Sequence, residues 1–91
     1  MAVKLTGLSG LVPSSGVGAV SLNVTAVDAT EGGWVAVGPC GATSLWSSVN
    51  FDKGVNTANA VLTEVPADGK VCFRSNVAVH LVADVNGWFA D

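Results

Sequence analysis

The stretch AVSLNVTAV, residues 19–27, decides the fold class of this chain. Apolar and polar residues alternate along it with a period of two, which is typical of a half-buried β-strand because successive side chains point to opposite faces. We therefore expect a strand with one apolar and one polar side. The apolar side comprises Val20, Leu22, Val24 and Ala26, and the polar side comprises Ser21, Asn23 and Thr25.

Working outward from this stretch, five further runs rich in valine are separated by turns that contain Gly, Pro, Asp or Asn. No segment has a convincing helical period. The predicted strands are residues 19–27, 34–38, 45–51, 56–65, 70–73 and 77–85, with a shorter strand within residues 3–8. The sequence thus predicts an all-β fold, an antiparallel β-sandwich of the jelly-roll or Ig-like kind, with a small closed β-barrel as the alternative. We expect residues 1–91 to form one domain.

Two hairpins are expected from the match of apolar positions in neighbouring runs. The first pairs Phe51 with Asn56 and thereby places Leu62 on the apolar side of its strand. The second pairs Phe73 with Val77 across the turn RSN. Each hairpin would have one apolar and one polar face, and the two apolar faces would pack together.

Charge is scarce in this chain. Charged residues make up 12% of the sequence, against about 25% in ordinary domains, and the mean hydropathy is +0.52. The net charge is −3, and the four Lys and Arg residues form no run, which argues against binding to nucleic acid or to an anionic membrane. So weakly charged a surface is expected to be partly covered by another copy or another partner. We expect a homo-oligomer, with a weakly charged secreted monomer as the alternative.

Two cysteines are present, Cys40 and Cys72, each in or beside a β-like run. A disulfide between them is favoured because a small domain gains from a covalent link, here by about 3–4 kcal/mol in the chain-entropy description. Two buried free thiols in a reducing compartment are the alternative. Without a CxxC motif, structural zinc is not expected.

The order VSLNVTAV, VAVGPCG, SSVNFDKGVNTANAVLTEVPADGKVCF and VHLVADVNGWF resembles a repeated module of secreted actinobacterial proteins. In that module the corresponding segments follow the patterns VxLNVTA, VYPCG, SNLNF and THLVxDVxGYF. The resemblance covers residues 17–90. Trp46 departs from it, because the family more often has a small residue or proline there. The resemblance implies a secreted, disulfide-bonded, all-β accessory module without a well-defined activity.

Catalytic and metal-binding patterns are weak. His80 is the only histidine, no GxSxG motif is present and no pair of carboxylates has a telling spacing, so the sequence predicts no enzyme. Asp84, Asn86 and Gly87 match the opening of a calcium-binding loop, but the glutamate that closes such a loop is missing. We expect no cofactor, with calcium as the remaining alternative.

The segment DVNGWF, residues 84–89, combines a carboxylate, an Asn-Gly turn signal and two aromatics. Asn-Gly favours a turn or bulge with positive φ. We expect Trp88 and Phe89 to fold back, one of them capping the open end of the sandwich, and Asp84 to accept hydrogen bonds from backbone amides at the bend. The segment is thus predicted to close the core rather than to form a site.

Outward-facing polar residues offer a different chemistry. Amides and hydroxyls donate and accept hydrogen bonds as sugar hydroxyls do, and an indole stacks on a pyranose ring. Eight residues are expected to share one uncharged face: Ser21, Asn23, Thr25, Trp46, Ser48, Asn50, Thr57 and Asn59. Such a face predicts a lectin-like module for glycan or cell-wall carbohydrate. Its candidate ligand-binding residues are Trp46, Asn50, Asp52, Asn59, His80 and Asp84. The alternative is an assembly module whose uncharged face binds another protein subunit.

Overall fold

The computed structural model describes residues 1–8, 11–41 and 47–91, and its regular structure there consists of seven β-strands. The strands are β1 (Ala2–Lys4), β2 (Val17–Val27), β3 (Gly33–Pro39), β4 (Ser47–Phe51), β5 (Thr57–Glu64), β6 (Lys70–Ser75) and β7 (His80–Ala90). Leu45 and Trp46, which the sequence placed at the start of the β4 strand, lie outside the described residues. Among the described residues, no helix is long and apolar enough to cross a bilayer.

The strands form two antiparallel sheets. One has four strands in the order β1-β6-β3-β4, and the other has three strands in the order β5-β2-β7. Because each sheet presents an apolar face, the two pack together around a common core. The predicted all-β sandwich is confirmed, and the alternative of one closed sheet is wrong.

The core is centred on β2, the middle strand of the three-stranded sheet. Its predicted apolar side is confirmed, because Val20, Leu22, Val24 and Ala26 are all buried. The facing sheet contributes Val35, Val37, Val49, Phe51, Val71 and Phe73. The polar side of β2, with Ser21, Asn23 and Thr25, points away from the core on the outer face of its sheet.

Both predicted hairpins are wrong. β4 pairs with β3, whereas β5 pairs with β2; likewise β6 pairs with β1 and β3, whereas β7 pairs with β2. Of the described strands, only β3 and β4 are both consecutive in the chain and adjacent in a sheet. Each turn assigned to a hairpin therefore carries the chain from one sheet to the other, because a turn with the same residue types suits either connection.

Because the predicted hairpin is wrong, the two faces of β5 were also assigned the wrong way round. Leu62, placed on the apolar side by the expected register, is 68% exposed, whereas its neighbour Val61 is 8% exposed and belongs to the core. Pairing with β2 explains this, since Val61 lies opposite the inward-facing Leu22. A change of one residue in the pairing of a strand exchanges its two faces.

The disulfide between Cys40 and Cys72 is confirmed, with Cα atoms 4.7 Å apart. It joins the end of β3 to β6, two neighbours in the four-stranded sheet. Both cysteines are engaged, so no free thiol remains. Such a bond persists in an oxidising environment, which is the environment found outside the cytoplasm.

Candidate functional site

The eight polar residues expected on one face are divided among three parts of the molecule. The first three, on β2, lie on the outer face of the three-stranded sheet. Ser48 and Asn50 belong to the four-stranded sheet, and Thr57 and Asn59 pair with inward-facing residues of β2. Trp46 lies outside the described residues. The single polar face drawn from the hairpin register is therefore wrong.

Some of these polar groups are committed to the fold. The Asn59 Nδ2 donates to the Ser48 carbonyl oxygen at 2.7 Å and thus connects β5 to β4 across the two sheets. The Asn59 Oδ1 accepts from the Ala60 amide at 3.0 Å. The Ser48 hydroxyl accepts from the Val37 amide at 3.3 Å. Asn59 is therefore a structural residue whose amide already has partners on both sides.

Other polar groups are not used by the fold. Asn23 on β2 lies directly opposite Asp84 on β7, and both point to the outer face of the three-stranded sheet. His80 lies on the same face, opposite Val27. Within the described parts of the chain, the side chains of these three polar residues make no hydrogen bond. The structure thus places two predicted site residues, His80 and Asp84, on one outer face, but on the opposite side of the molecule from Asn50.

An exposed indole lies on the outer face of the four-stranded sheet. Trp34 on β3 is 39% exposed, although β3 is an interior strand with neighbours on both sides. Its cross-strand partner on β4 is Asn50, an exposed residue, so the indole ring and the Asn50 amide lie side by side. The ring offers an apolar stacking surface, and an amide both donates and accepts hydrogen bonds.

The backbone beneath this indole is held in place. The Asn76 Oδ1 accepts from the Trp34 amide at 2.8 Å. Gly33 makes room for that contact, because a Cβ atom there would lie 2.6 Å from the Asn76 Oδ1. A larger residue at this position would displace Asn76, so Gly33 and Asn76 together fix where Trp34 leaves the sheet.

Trp34 was missed as a candidate, although its sequence contains the signal. In GWVAVG the valines at positions 35 and 37 face the core, so the two-residue period requires Trp34 to face outward. Of the predicted site residues, Asn50 lies beside Trp34, and Asp52 follows at the exposed end of β4. His80 and Asp84 belong to the other sheet, and Asn59 lies between the sheets.

The DVNGWF segment does not fold back. It continues β7 as far as Ala90, paired with the first half of β2. The expected bulge is present, because the register shifts by one residue at Asn86, but Gly87 does not have positive φ. Trp88 and Phe89 are 42% and 55% exposed. The predicted fold-back is wrong, since pairing with β2 holds both in an extended strand. Trp88 lies opposite the buried Val20 and therefore faces the inner side of the sheet.

In the three described segments, no group of three or more His, Cys, Asp and Glu side chains lies close enough together to hold a metal ion. Asp84 and Asn86, the start of the calcium-like pattern, belong to a β-strand rather than to a loop.

The chain matches no family model, no curated protein and no solved structure, so its function must be inferred from the positions of its own residues.

Proposed function

We propose that this protein is a secreted, non-catalytic carbohydrate-binding module in which the Trp34 indole stacks against a sugar ring. The observation that carries the proposal is the exposed indole on an interior strand, directly opposite Asn50. An aromatic ring binds the C–H face of a pyranose, and an adjacent amide reaches its hydroxyls. In this proposal Trp34 takes the stacking role that the sequence had suggested for Trp46. Asn50 and Asp52 remain candidate hydrogen-bonding residues.

Two further features support this proposal. The Asn76 hydrogen bond fixes the backbone of the strand beneath the indole, so little backbone conformational entropy is lost when a ligand stacks on it. The disulfide suits a protein that works outside the cytoplasm, and glycan or cell-wall carbohydrate is the partner that such a module would meet there.

The test is a glycan array followed by titration of any hit with wild-type protein and with Trp34→Ala. Loss of a stacked indole is expected to weaken binding by about 30-fold or more, the usual consequence of removing a central aromatic contact. Trp88→Ala is the matched control, because it removes another half-exposed indole from the opposite sheet. An array without hits, or equal affinities for wild type and Trp34→Ala, would refute the proposal.

The assembly module is the second candidate function, and a different observation favours it. Three large apolar side chains on β7 are exposed, namely Val82, Trp88 and Phe89. Val82 and Phe89 lie on the outer face of the sheet, and exposed apolar groups on one face are typical of a surface that is covered by a partner. On this hypothesis the array has no hits, and Trp34→Ala leaves every measured property of the protein unchanged.

A further inference from the structure

We propose that β7 is a self-pairing edge strand, through which two copies of this chain join their three-stranded sheets into one continuous six-stranded sheet. The pairing is antiparallel and has Val82 on the two-fold axis. It does not depend on carbohydrate binding, because β7 and Trp34 belong to different sheets.

The edge of β7 is long and unprotected. The strand has 11 residues, and within the described part of the chain its one neighbour is β2, so its other side presents free backbone N–H and C=O groups. Native edge strands are usually short, or carry lysine or proline that prevents pairing. β7 has neither residue, whereas β1, the edge strand of the facing sheet on the same side, has three residues and ends in Lys4.

An apolar groove lies beneath this edge. It has a volume of about 250 Å³ and is lined entirely by apolar residues. The lining residues from β7 are Leu81, Ala83 and Val85, and those from the facing side include Val3, Leu5 and Phe73. Ala83 is exposed even though it points toward the other sheet. A further strand paired with β7 would point its alternate side chains into this groove and cover it.

The occupant that fits is a second copy of β7, because the segment of residues 79–85 is complementary to itself. With Val82 on the axis, residues equally distant from it face each other across the antiparallel pair. On the groove side, Leu81 then faces the partner's Ala83, and Val79 faces the partner's Val85. Val79, Leu81 and Val85 already pack against the core as partly buried side chains, so this arrangement completes their burial.

Polar complementarity on the outer face selects this register. Val82, which is 50% exposed, meets its own copy, and His80 faces the partner's Asp84 on both sides of the axis. Neither side chain has a hydrogen-bond partner within the described residues of its own chain. A register with Asp84 on the axis would place two carboxylates directly opposite each other, which is unfavourable. The bulge at Asn86 lies beyond the paired segment.

Pairing of this kind fixes how the dimer presents its other faces. The two-fold axis of an antiparallel pair is perpendicular to the sheet, so both four-stranded sheets lie on the same side of the joined sheet. On the proposed function, two Trp34 platforms would then face one surface and bind a polymeric glycan bivalently. This consequence rests on the proposed function, whereas the pairing does not.

The first test is the mass in solution, measured by size-exclusion chromatography with light scattering. Wild type is expected at twice the 9.1 kDa of one chain. Val82→Lys should halve that mass, because it places two ammonium groups at the axis. Leu62→Lys is the matched control, since it makes the same kind of change on the other edge strand of the same sheet at a residue that is 68% exposed. Thermal unfolding of each variant confirms that the chain is folded.

The second test addresses the register. Val82→Cys introduces the one free thiol of the chain, because both native cysteines are bonded to each other. Antiparallel pairs place Cα atoms about 4.5–5.5 Å apart, a separation that a disulfide spans, so mild oxidation should yield a covalent dimer. Leu62→Cys should yield none under the same conditions. Asp84→Lys should weaken the dimer, and combining it with His80→Glu should restore it.

A wild-type mass of 9.1 kDa at high concentration would overturn the proposal, as would a dimer that survives Val82→Lys. A dimer lost in Leu62→Lys but not in Val82→Lys would assign the interface to β5 instead, and would equally refute it. These results are distinguishable from failure of the proposed function, because they are obtained without any glycan.

Discussion

This sandwich has two sides on which an edge strand of one sheet lies beside an edge strand of the other, and the two sides differ in how the space between the sheets is closed. On the side of β4 and β5, the Asn59 amide bridges the sheets by donating to the Ser48 carbonyl oxygen; we call this the closed side. On the side of β1 and β7, the sheets leave a groove lined only by apolar residues; we call this the open side. A small sandwich can therefore complete one side with its own hydrogen bond and leave the other available to a partner.

The reason for the difference is the strand pairing of each edge. On the closed side, the polar residue Asn59 lies opposite the inward-facing Val24, so its amide reaches toward the facing sheet. On the open side, the residues of β7 that line the groove are Leu81, Ala83 and Val85, which have no polar group that could form such a bridge. Burial of these side chains must come from additional apolar surface.

The largest effect on stability is expected from removing the disulfide in the interior of the four-stranded sheet. Cys40→Ser combined with Cys72→Ser removes the link within the four-stranded sheet, which borders both sides. The 32-residue separation predicts a loss of about 3–4 kcal/mol in the free energy of unfolding in the chain-entropy description. Urea unfolding of the double variant measures it. A loss below about 1 kcal/mol would mean that the sheet pairing alone positions β3 against β6.

A smaller effect is expected from truncating one apolar residue on each side. Val61→Ala on the closed side should cost about 2 kcal/mol, because a buried side chain loses two methyl groups and leaves a cavity. Leu81→Ala on the open side should cost less than about 1 kcal/mol, although it removes more atoms, because the side chain is only partly buried. Urea unfolding measures both.

Both truncations are made in the Val82→Lys variant, so that dissociation of a dimer does not contribute to the measured free energy of unfolding. Truncating a leucine usually costs more stability than truncating a valine. A larger loss for Leu81→Ala than for Val61→Ala would therefore contradict the proposed difference between the two sides.

A similarly small stability effect is expected at the bridge itself. Asn59→Ala removes the amide that joins β5 to β4 and should cost about 1 kcal/mol, the usual net value of one hydrogen bond. Asn23→Ala is the matched control, because Asn23 is also on a strand of this sheet but makes no hydrogen bond within the described residues. It should change stability by less than about 0.5 kcal/mol. Equal losses in thermal or urea unfolding would show that the bridge contributes nothing.

Much of the architecture was predictable because it follows from local alternation. The period of two in β2 identified a strand, its core side and its outer side, and the same period located the main strands to within a few residues. The disulfide was also predictable, since two cysteines in β-like runs leave one pairing. Trp34 could have been recognised from the valines on either side of Ala36, because those valines determine which way the indole points.

Strand pairing was not predictable in the same way. A turn such as DKGV or RSN is compatible with a hairpin within one sheet and with a crossing between two sheets. The hairpin assumption placed Leu62 in the core and gathered polar residues from both sheets on one face. It also hid the outer-face pair of Asn23 and Asp84, which lie about 60 residues apart in the chain but opposite each other in the sheet.

The sequence by itself determined that this chain forms strands and which residues of β2 face the core, because these properties depend on the two-residue period. It favoured the disulfide, which the structure then confirmed. Only the tertiary structure decided which strands are neighbours, and with that which amide bridges the sheets, which indole is exposed and which edge is free. Those outcomes depend on contacts between segments far apart in the chain, and local side-chain patterns do not specify such contacts.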